Sequence, residues 1–175
     1  YSLSLKSCPP TIEINLNSSK SESNRLLIIQ SLSKNKTNLR NISEANDTKL
    51  LRELIKSNSD SVWDARDAGT TMRFLLSYLS IMKDEVTLTG TERMKKRPVK
   101  LLVDALTEIG TEISYLENEG YPPIFIDTKI NQRKNSISIR GDISSQYISS
   151  LLMIAPILPN GLEINIVPPF YSKPY

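Results

Sequence analysis

The sequence contains no histidine and only one cysteine, Cys8. An internal disulfide needs two cysteines, and zinc sites built from Cys and His need residues that are missing here. The Ser-His-Asp and Cys-His catalytic arrangements are excluded for the same reason. Any chemistry must therefore use Lys, Arg, carboxylates, hydroxyls or backbone amides, and we expect no bound metal.

Long apolar runs are also missing. Stretches such as residues 151–158 are far shorter than the ~20 residues that a membrane-spanning helix needs, so we interpret the chain as a soluble, cytoplasmic protein that does not bind membranes. Lys and Arg exceed Asp and Glu by 22 to 19. This mild excess suits small anionic ligands at least as well as nucleic acid. Because the chain begins with Tyr1 and ends at Tyr175 without a polar tail, we expect a piece of a longer protein.

The apolar side chains recur with helical spacing in five segments. The first helix is expected after Ser19, in a capping-box pattern with Leu26, Ile29 and Leu32 on one side, and the fourth is expected to hold Pro98 in its first turn and to end at Gly110. Others are predicted to start near residues 46 and 67, and a weaker one covers residues 144–155. Alternating or β-rich runs predict strands at residues 11–16, 37–42, 61–65, 86–89, 112–116, 124–127, 136–139 and 162–167. The pattern predicts one compact unit of the α/β or α+β class.

Three helical segments, beginning at Ser21, Gly69 and Ser145, align as a weak internal repeat, each at the same distance before the next predicted strand. Chance remains an alternative explanation. A genuine repeat would bring three helix amino ends together, where unpaired N–H groups and the helix dipoles favour a multiply charged anion.

Several short segments could bind an anion, although a capped or solvated helix is the commoner explanation for each alone. Lys20 and Arg25 lie one turn apart at a predicted helix start, and Gly69 opens another. Arg97 ends a cationic run over residues 93–97, just before a helix, where its planar group could bind an anion through two hydrogen bonds. Hydroxyl and amide donors lie at residues 144–146 and 172–175.

Taken together and in order, these segments resemble the N-terminal part of the EPSP synthase family, the 3-phosphoshikimate 1-carboxyvinyltransferases. The resemblance spans nearly the whole sequence. Its blocks are Ser19-Lys20-Ser21 with Ser23-Asn24-Arg25, Ala68-Gly69-Thr70 with Met72-Arg73, Leu88-Thr89-Gly90 with Arg93-Met94-Lys95 and Arg97-Pro98, Leu102-Val103-Asp104-Ala105-Leu106, Tyr121-Pro122-Pro123, Ser144-Ser145-Gln146 and Ser172-Lys173-Pro174-Tyr175.

The resemblance implies transfer of the enolpyruvyl group of phosphoenolpyruvate (PEP) to the 5-hydroxyl of shikimate 3-phosphate, with release of phosphate and without a cofactor. It implies a catalytic role for Lys20, which contacts the substrates. The residues implied to bind PEP are Lys20, Gly69, Arg97 and Gln146. Those implied to bind shikimate 3-phosphate are Lys20, Ser21, Arg25, Ser144, Ser145, Gln146, Ser172 and Tyr175.

The resemblance also implies a fold and its limits. The family fold is an inside-out α/β barrel, a ring of βαβαββ units around a pseudo-threefold axis, and we expect residues 1–175 to form a single partial domain with about two units and the start of a third. A second domain, absent here, carries the proton-transfer groups and two more PEP-binding arginines. We therefore expect the chain alone to be inactive but to bind shikimate 3-phosphate weakly. We expect the full-length enzyme to be monomeric, whereas apolar surface at Leu151, Leu152 and Ile154 favours self-association or marginal stability of this chain.

Two residues depart from the family pattern. Asp67 stands where Asn is usual, and a carboxylate there would repel anionic substrates unless it pairs with a cation or turns away. Phe74 stands where Pro is common, which affects the expected response to the inhibitor glyphosate.

Two alternatives stay open. A UDP-N-acetylglucosamine enolpyruvyl transferase shares the PEP chemistry but uses a cysteine in a mobile loop, whereas Cys8 lies in the opening strand region. A non-catalytic anion-binding or nucleic-acid-binding module would rely on the cations of residues 93–97 and would lose affinity steeply with salt.

Overall fold

The computed structural model describes residues 16–34, 37–57 and 61–171, together with residues 4, 11 and 13. It contains helices and strands in alternation, which confirms the mixed α/β class. The helices are α1 (Lys20–Leu32), α2 (Asn46–Ser57), α3 (Gly69–Met82), α4 (Lys100–Ile109) and α5 (Ser145–Ile154). The strands are β1 (Val62–Asp64), β2 (Val86–Thr89), β3 (Glu112–Tyr115), β4 (Ile124–Thr128), β5 (Ser136–Arg140) and β6 (Glu163–Val167).

The ends of the helices follow local sequence chemistry. Ser19 and Ser144 cap α1 and α5 by accepting hydrogen bonds from the backbone N–H groups of Glu22 and Gln146, as hydroxyl side chains commonly do at this position. Helix α4 ends at Gly110, whose φ of 136° suits a residue without a Cβ. Pro98 precedes the Val99 cap of α4 and so lies just outside the helix, which corrects its predicted place in the first turn.

The strands show the repeating unit. β1 and β2 are parallel neighbours that α3 connects, and β2 pairs with β4 and β4 with β3, both antiparallel. Residues 62–128 therefore form one complete βαβαββ unit in a sheet of order β1-β2-β4-β3. The parallel pair β5 and β6, joined through α5, repeats the first half of that unit.

The core lies where α3 packs against both α1 and α5. Apolar residues cover nearly the whole circumference of α3, so that Phe74, Leu75, Leu76 and Leu79 are all fully buried, as expected for a central helix. Trp63 of β1 is also fully buried, with its ring 6.3 Å from that of Tyr78. Helix α3 is thus the central element against which the other two helices are positioned.

One predicted strand is absent. Residues 37–42 are not a strand, because Asn41 adopts a positive φ of 54° and its side chain accepts a hydrogen bond from Ser18 Oγ at 3.1 Å. The following backbone N–H of Ser43 donates to Ser23 Oγ at 2.9 Å. This segment is held by side chains of α1 and its approach rather than by a neighbouring strand. Residues 12, 14 and 15 of the predicted strand 11–16 lie outside the described residues, as does Cys8.

The predicted apolar surfaces also need correction. On α1, Leu27 and Ile28 are buried, whereas Leu26 and Ile29 are exposed. On α5, Leu151 and Ile154 are fully buried and only Leu152 is exposed, because the face of α5 that carries Leu151 and Ile154 packs into the core. Ile29 of α1 and Leu152 of α5 line one groove between these helices.

None of the helices in the described part of the chain is both long and apolar enough to span a bilayer. The same residues hold no cluster of three or more His, Cys, Asp or Glu side chains suited to a metal ion.

Candidate functional site

The amino ends of α3 and α5 meet through side chains. Gln146, in the first turn of α5, donates from Nε2 to Thr70 Oγ1 at 2.9 Å and accepts at Oε1 from Arg73 Nη1 at 2.7 Å. Arg73 also lies 5.3 Å over the ring of Tyr147. The start of α3 is therefore joined to the start of α5 by a half-buried polar network.

Arg97 lies across the first residue of α3. A Cβ placed on Gly69 would be 2.2 Å from Arg97 Nη1 and 3.3 Å from Arg73 Nη1, so only glycine leaves room for this approach. Within the part of the chain that the structure describes, the exposed Arg97 side chain forms no ion pair or hydrogen bond. A cation without a protein partner beside a helix amino end suits a small anion.

Lys20 begins α1 and points to the start of α2. Its Nζ lies 3.0 Å from Asp47 Oδ2, and both side chains are partly exposed. An ammonium group has three donors, so two remain for a ligand beside this carboxylate. Thr71 Oγ1 donates to the backbone carbonyl of Asp47 at 3.2 Å, which ties the start of α2 to that of α3.

Arg25 connects α1 to α5 and contacts α3. Its Nη1 donates to Ser21 Oγ at 2.6 Å, its Nη2 donates to Ser149 Oγ at 2.9 Å, and its Cζ lies 5.3 Å over the buried ring of Phe74. These contacts fix the direction of the guanidinium before any ligand arrives, which lowers the entropy cost of binding.

Lys95, another cation of residues 93–97, is paired with carboxylates. Lys95 contacts Glu117 at 2.7 Å and Glu92 at 3.2 Å, and hydrogen bonds to these carboxylates, chiefly Glu117, raise the pKa of its ammonium. Lys95 is therefore directed to carboxylates and not to the start of α3, while Arg97 turns towards Gly69.

The carboxylate of Asp67 is hydrogen-bonded to a neighbouring hydroxyl. Asp67 Oδ1 accepts a hydrogen bond from Thr91 Oγ1 at 2.6 Å.

Asp67 and Asp47 both line a cleft of about 460 Å³ together with Arg66 and Ala68. A second cleft of about 730 Å³ is lined by Ser18, Lys20, Asn41 and Ser43, so Lys20 lies on one cleft and its partner Asp47 on the other.

The structure places most of the candidate residues around the starts of three helices. The start of α3 brings together Gly69, Arg97 and Gln146. On α1, Arg25 contacts Ser21 and also Ser149 of α5. Ser144 uses its hydroxyl to cap α5, and Ser145 is the next residue. Lys20 lies at the start of α1 beside α2. Ser172 and Tyr175 lie outside the described residues.

Sequence reasoning missed Arg73, Asp47 and Ser149 as members of this site. A signal for two of them was present, because Arg25, Arg73 and Ser149 occupy the same position in the three aligned repeats. Arg25 and Ser149 are hydrogen-bonded to each other. The equivalent positions of the first and third repeats therefore mark two residues that meet in the structure.

Comparisons with known proteins agree on one family. Residues 51–175 match the family model of EPSP synthase (3-phosphoshikimate 1-carboxyvinyltransferase). A 3-phosphoshikimate 1-carboxyvinyltransferase of Bacteroides fragilis is 44% identical over 98% of this chain, and one of Pasteurella multocida is 38% identical over 93%. The chain spans only 42% and 44% of the lengths of these two relatives.

The fold has a counterpart among solved structures. An EPSP synthase from Acinetobacter baumannii superposes with a TM-score of 0.74 at 19% identity, over 91% of this chain and 41% of that one. At this identity the likeness concerns the fold alone.

Proposed function

Since the chain belongs to the EPSP synthase family, we propose that it supplies substrate-binding residues for transfer of the enolpyruvyl group of PEP to the 5-hydroxyl of shikimate 3-phosphate. In this reaction the 5-hydroxyl loses its proton as its oxygen bonds to C2 of PEP, while the methylene carbon gains a proton and becomes a methyl group. One proton of that methyl group is then lost as the C2–O bond to phosphate breaks. The proposal assumes small-molecule substrates and a cytoplasmic reaction.

The observation that carries the proposal is the position of Arg97 over Gly69 at the start of α3. Backbone N–H groups at a helix start and a guanidinium together can bind the phosphate or carboxylate of PEP. We assign PEP to Gly69 and Arg97 for this reason, and to Lys20 and Gln146 by the family resemblance. The two unused donors of Lys20 would contact PEP while Asp47 holds the third.

We assign shikimate 3-phosphate to the side of the site formed by α1 and α5. Arg25 is already oriented by Ser21 and Ser149, and a charge-assisted hydrogen bond from an oriented guanidinium is among the stronger polar contacts available to a phosphate. Ser144, Ser145 and Gln146 add neutral donors that suit a polyol ring. Ser172 and Tyr175 belong to this set by the family resemblance alone.

We propose that this chain is catalytically inactive by itself but retains weak affinity for shikimate 3-phosphate. The geometry described above accounts for binding the anions, and the family resemblance assigns proton transfer to a second domain. The Asp67 carboxylate accepts a hydrogen bond from the Thr91 hydroxyl. This contact orients the carboxylate towards Thr91, but a neutral donor does not cancel its charge, so Asp67 is expected to weaken the binding of anionic substrates.

Calorimetric titration with shikimate 3-phosphate, followed by PEP, tests the proposal. We expect heat in the millimolar range from the parent chain and at least a tenfold weaker affinity after Lys20→Met, because a charged donor to the ligand is lost. Lys134→Met is the matched control, since Lys134 pairs with Glu108 by the end of α4 and should leave affinity unchanged. Absence of heat from the parent chain, or equal affinity in Lys20→Met, would contradict the assignment.

The salt dependence separates the proposal from a nucleic-acid-binding module. Such a module would bind a polyanion with a steep loss of affinity as salt rises and would be indifferent to shikimate 3-phosphate. The pairing of Lys95 with Glu92 and Glu117 argues against a broad cationic surface. Turnover by the purified chain would contradict the proposed inactivity.

A further inference from the structure

We propose that Arg73 is a positioning residue that fixes the side-chain amide of Gln146, so that Thr70 presents its hydroxyl hydrogen to an anion at the start of α3. The inference rests on the proposed function, because that anion site is the one assigned to PEP. Arg73 acts here through two other side chains and does not touch the ligand.

The direction of the hydrogen bonds follows from the chemistry of arginine. A guanidinium only donates hydrogen bonds, so the atom of Gln146 that lies 2.7 Å from Arg73 Nη1 must be the carbonyl Oε1. The amide nitrogen Nε2 then faces Thr70 Oγ1 at 2.9 Å and donates to it. A reversed amide would place N–H against N–H at Arg73, which is repulsive.

Thr70 is left with a hydrogen to donate. Its oxygen already accepts from Gln146, and a threonine inside a helix would usually donate to the carbonyl one turn earlier. Thr70 is only the second residue of α3, so no helical turn precedes it. Among the described residues its hydroxyl donates no hydrogen bond, and it lies beside the unpaired backbone N–H groups of the helix start.

Arg73 itself is held in place by contacts within the protein. Its Cζ lies 5.3 Å over the Tyr147 ring, and the Tyr147 hydroxyl donates to the Pro98 carbonyl at 2.6 Å. Its Nε is buried without a partner in the described residues, a cost that the other contacts must offset. Loss of Arg73 would free Gln146 to adopt other rotamers and both amide orientations, and the fraction of molecules with a donating Thr70 would fall.

The experiment titrates the 15N-labelled chain with inorganic phosphate and follows the backbone amides at the start of α3. Thr70→Val removes the hydroxyl at nearly constant volume, and we expect about a tenfold loss of phosphate affinity. Thr70→Ser keeps the hydroxyl and should stay within about threefold of the parent. Arg73→Met should lower the phosphate affinity about fivefold. Arg73→Lys still donates to Oε1 of Gln146, and its phosphate affinity should stay within about twofold of the parent.

The double variant Thr70→Val with Arg73→Met separates positioning from direct binding. If Arg73 acts through Thr70, the double variant binds phosphate as weakly as Thr70→Val alone, a coupling that a double-mutant cycle measures. If the two losses multiply to about fiftyfold, Arg73 contacts the anion itself and the proposal is wrong.

The side-chain amide signals of Gln146 give a readout without any ligand. In the parent and in Arg73→Lys, the two Nε2 protons of Gln146 should have distinct chemical shifts and should exchange slowly with solvent. In Arg73→Met, they should have the chemical shifts of a free side-chain amide. Free-amide signals in the parent, or phosphate that leaves the α3 amides of the parent unchanged, overturn the positioning role. Phosphate binding that follows the expected pattern while shikimate 3-phosphate and PEP do not bind would instead overturn the proposed function.

Discussion

At the residue scale, the approach of Arg97 to the start of α3 depends on the absence of a side chain at Gly69. A methyl group on Gly69 would overlap Arg97 Nη1, the far end of a flexible and exposed side chain. We expect Gly69→Ala to fold normally, with a free energy of unfolding within about 1 kcal/mol of the parent, because alanine is the better helix former. We expect phosphate and PEP affinity to fall about tenfold, because Arg97 is displaced from the helix start.

Urea denaturation and calorimetric titration measure the two effects separately. Gly161→Ala is the control for affinity, since a Cβ there meets nothing within 4 Å and lies outside the candidate site. Retention of full PEP affinity by Gly69→Ala would show that Arg97 need not approach the start of α3.

A site residue can be predicted from the sequence when its role follows from nearby residues. It cannot be predicted when its role depends on a partner that lies far away in the chain. Lys20, Arg25, Gly69 and Arg97 carry a local sign, since each lies at or near a helix start. Asp47 also lies at a predicted helix start, but a carboxylate there does not indicate an anion site, because its role follows from Lys20, 27 residues earlier. A residue whose function is to orient another becomes visible only when the helices are packed.

At the element scale, α4 depends on the backbone conformation of Gly110. A Cβ there would lie 2.1 Å from the Asn131 carbonyl oxygen, and the φ of 136° is unfavourable for other residues. We expect Gly110→Ala to lower the free energy of unfolding by about 3 kcal/mol. Gly161→Ala, with a φ of 63° and open space around it, should lose only about 1 kcal/mol.

Urea denaturation followed by circular dichroism compares the two variants. If both variants lost the same free energy of unfolding, the loop after β4 would move away from α4 without cost. We do not expect this, because Asn131 N donates a hydrogen bond to the Gly110 carbonyl at 3.0 Å.

Elements with strong local signals agree with their predictions. Strand β2 has the predicted bounds, and α3 and α5 begin within two residues of the predicted starts. The segment 37–42 fails because its alternation resembles a strand, while its polar groups bond to α1 and its approach. Periodicity reports which residues could line a sheet, but a strand also needs a hydrogen-bonding neighbour.

At the scale of the whole molecule, the groove between α1 and α5 is the main exposed apolar surface that we expect to cause self-association. It is lined by Ile29, Leu152, Met153 and Ile157 beside Arg25. We expect the chain to associate through this groove at about 100 µM and above, and Leu152→Lys to keep it monomeric, because a charge in an apolar contact must be desolvated.

Sedimentation equilibrium checks this expectation. Leu116→Lys is the matched control, since Leu116 and Leu152 are 52% and 53% exposed and Leu116 follows β3, away from the groove. Equal association of both variants would place the contact elsewhere.

The repeating architecture was the part of the fold most accessible from sequence. The family resemblance implied βαβαββ units, and residues 62–128 form one. The face that α5 presents to the core was not accessible, because Leu151, Leu152 and Ile154 are equally apolar and only the packing of α3 distinguishes them.

The hydrogen bond between Arg25 and Ser149 joins residues that are 124 positions apart. During synthesis on the ribosome, α1 and α3 leave the exit tunnel long before α5 does. Arg25 therefore has no Ser149 to contact until most of the described chain has been translated. Among the described residues, the part of the anion site that Arg25 and Ser149 form must therefore mature later than the part that Gly69 and Arg97 form, whatever the order in which the helices first form.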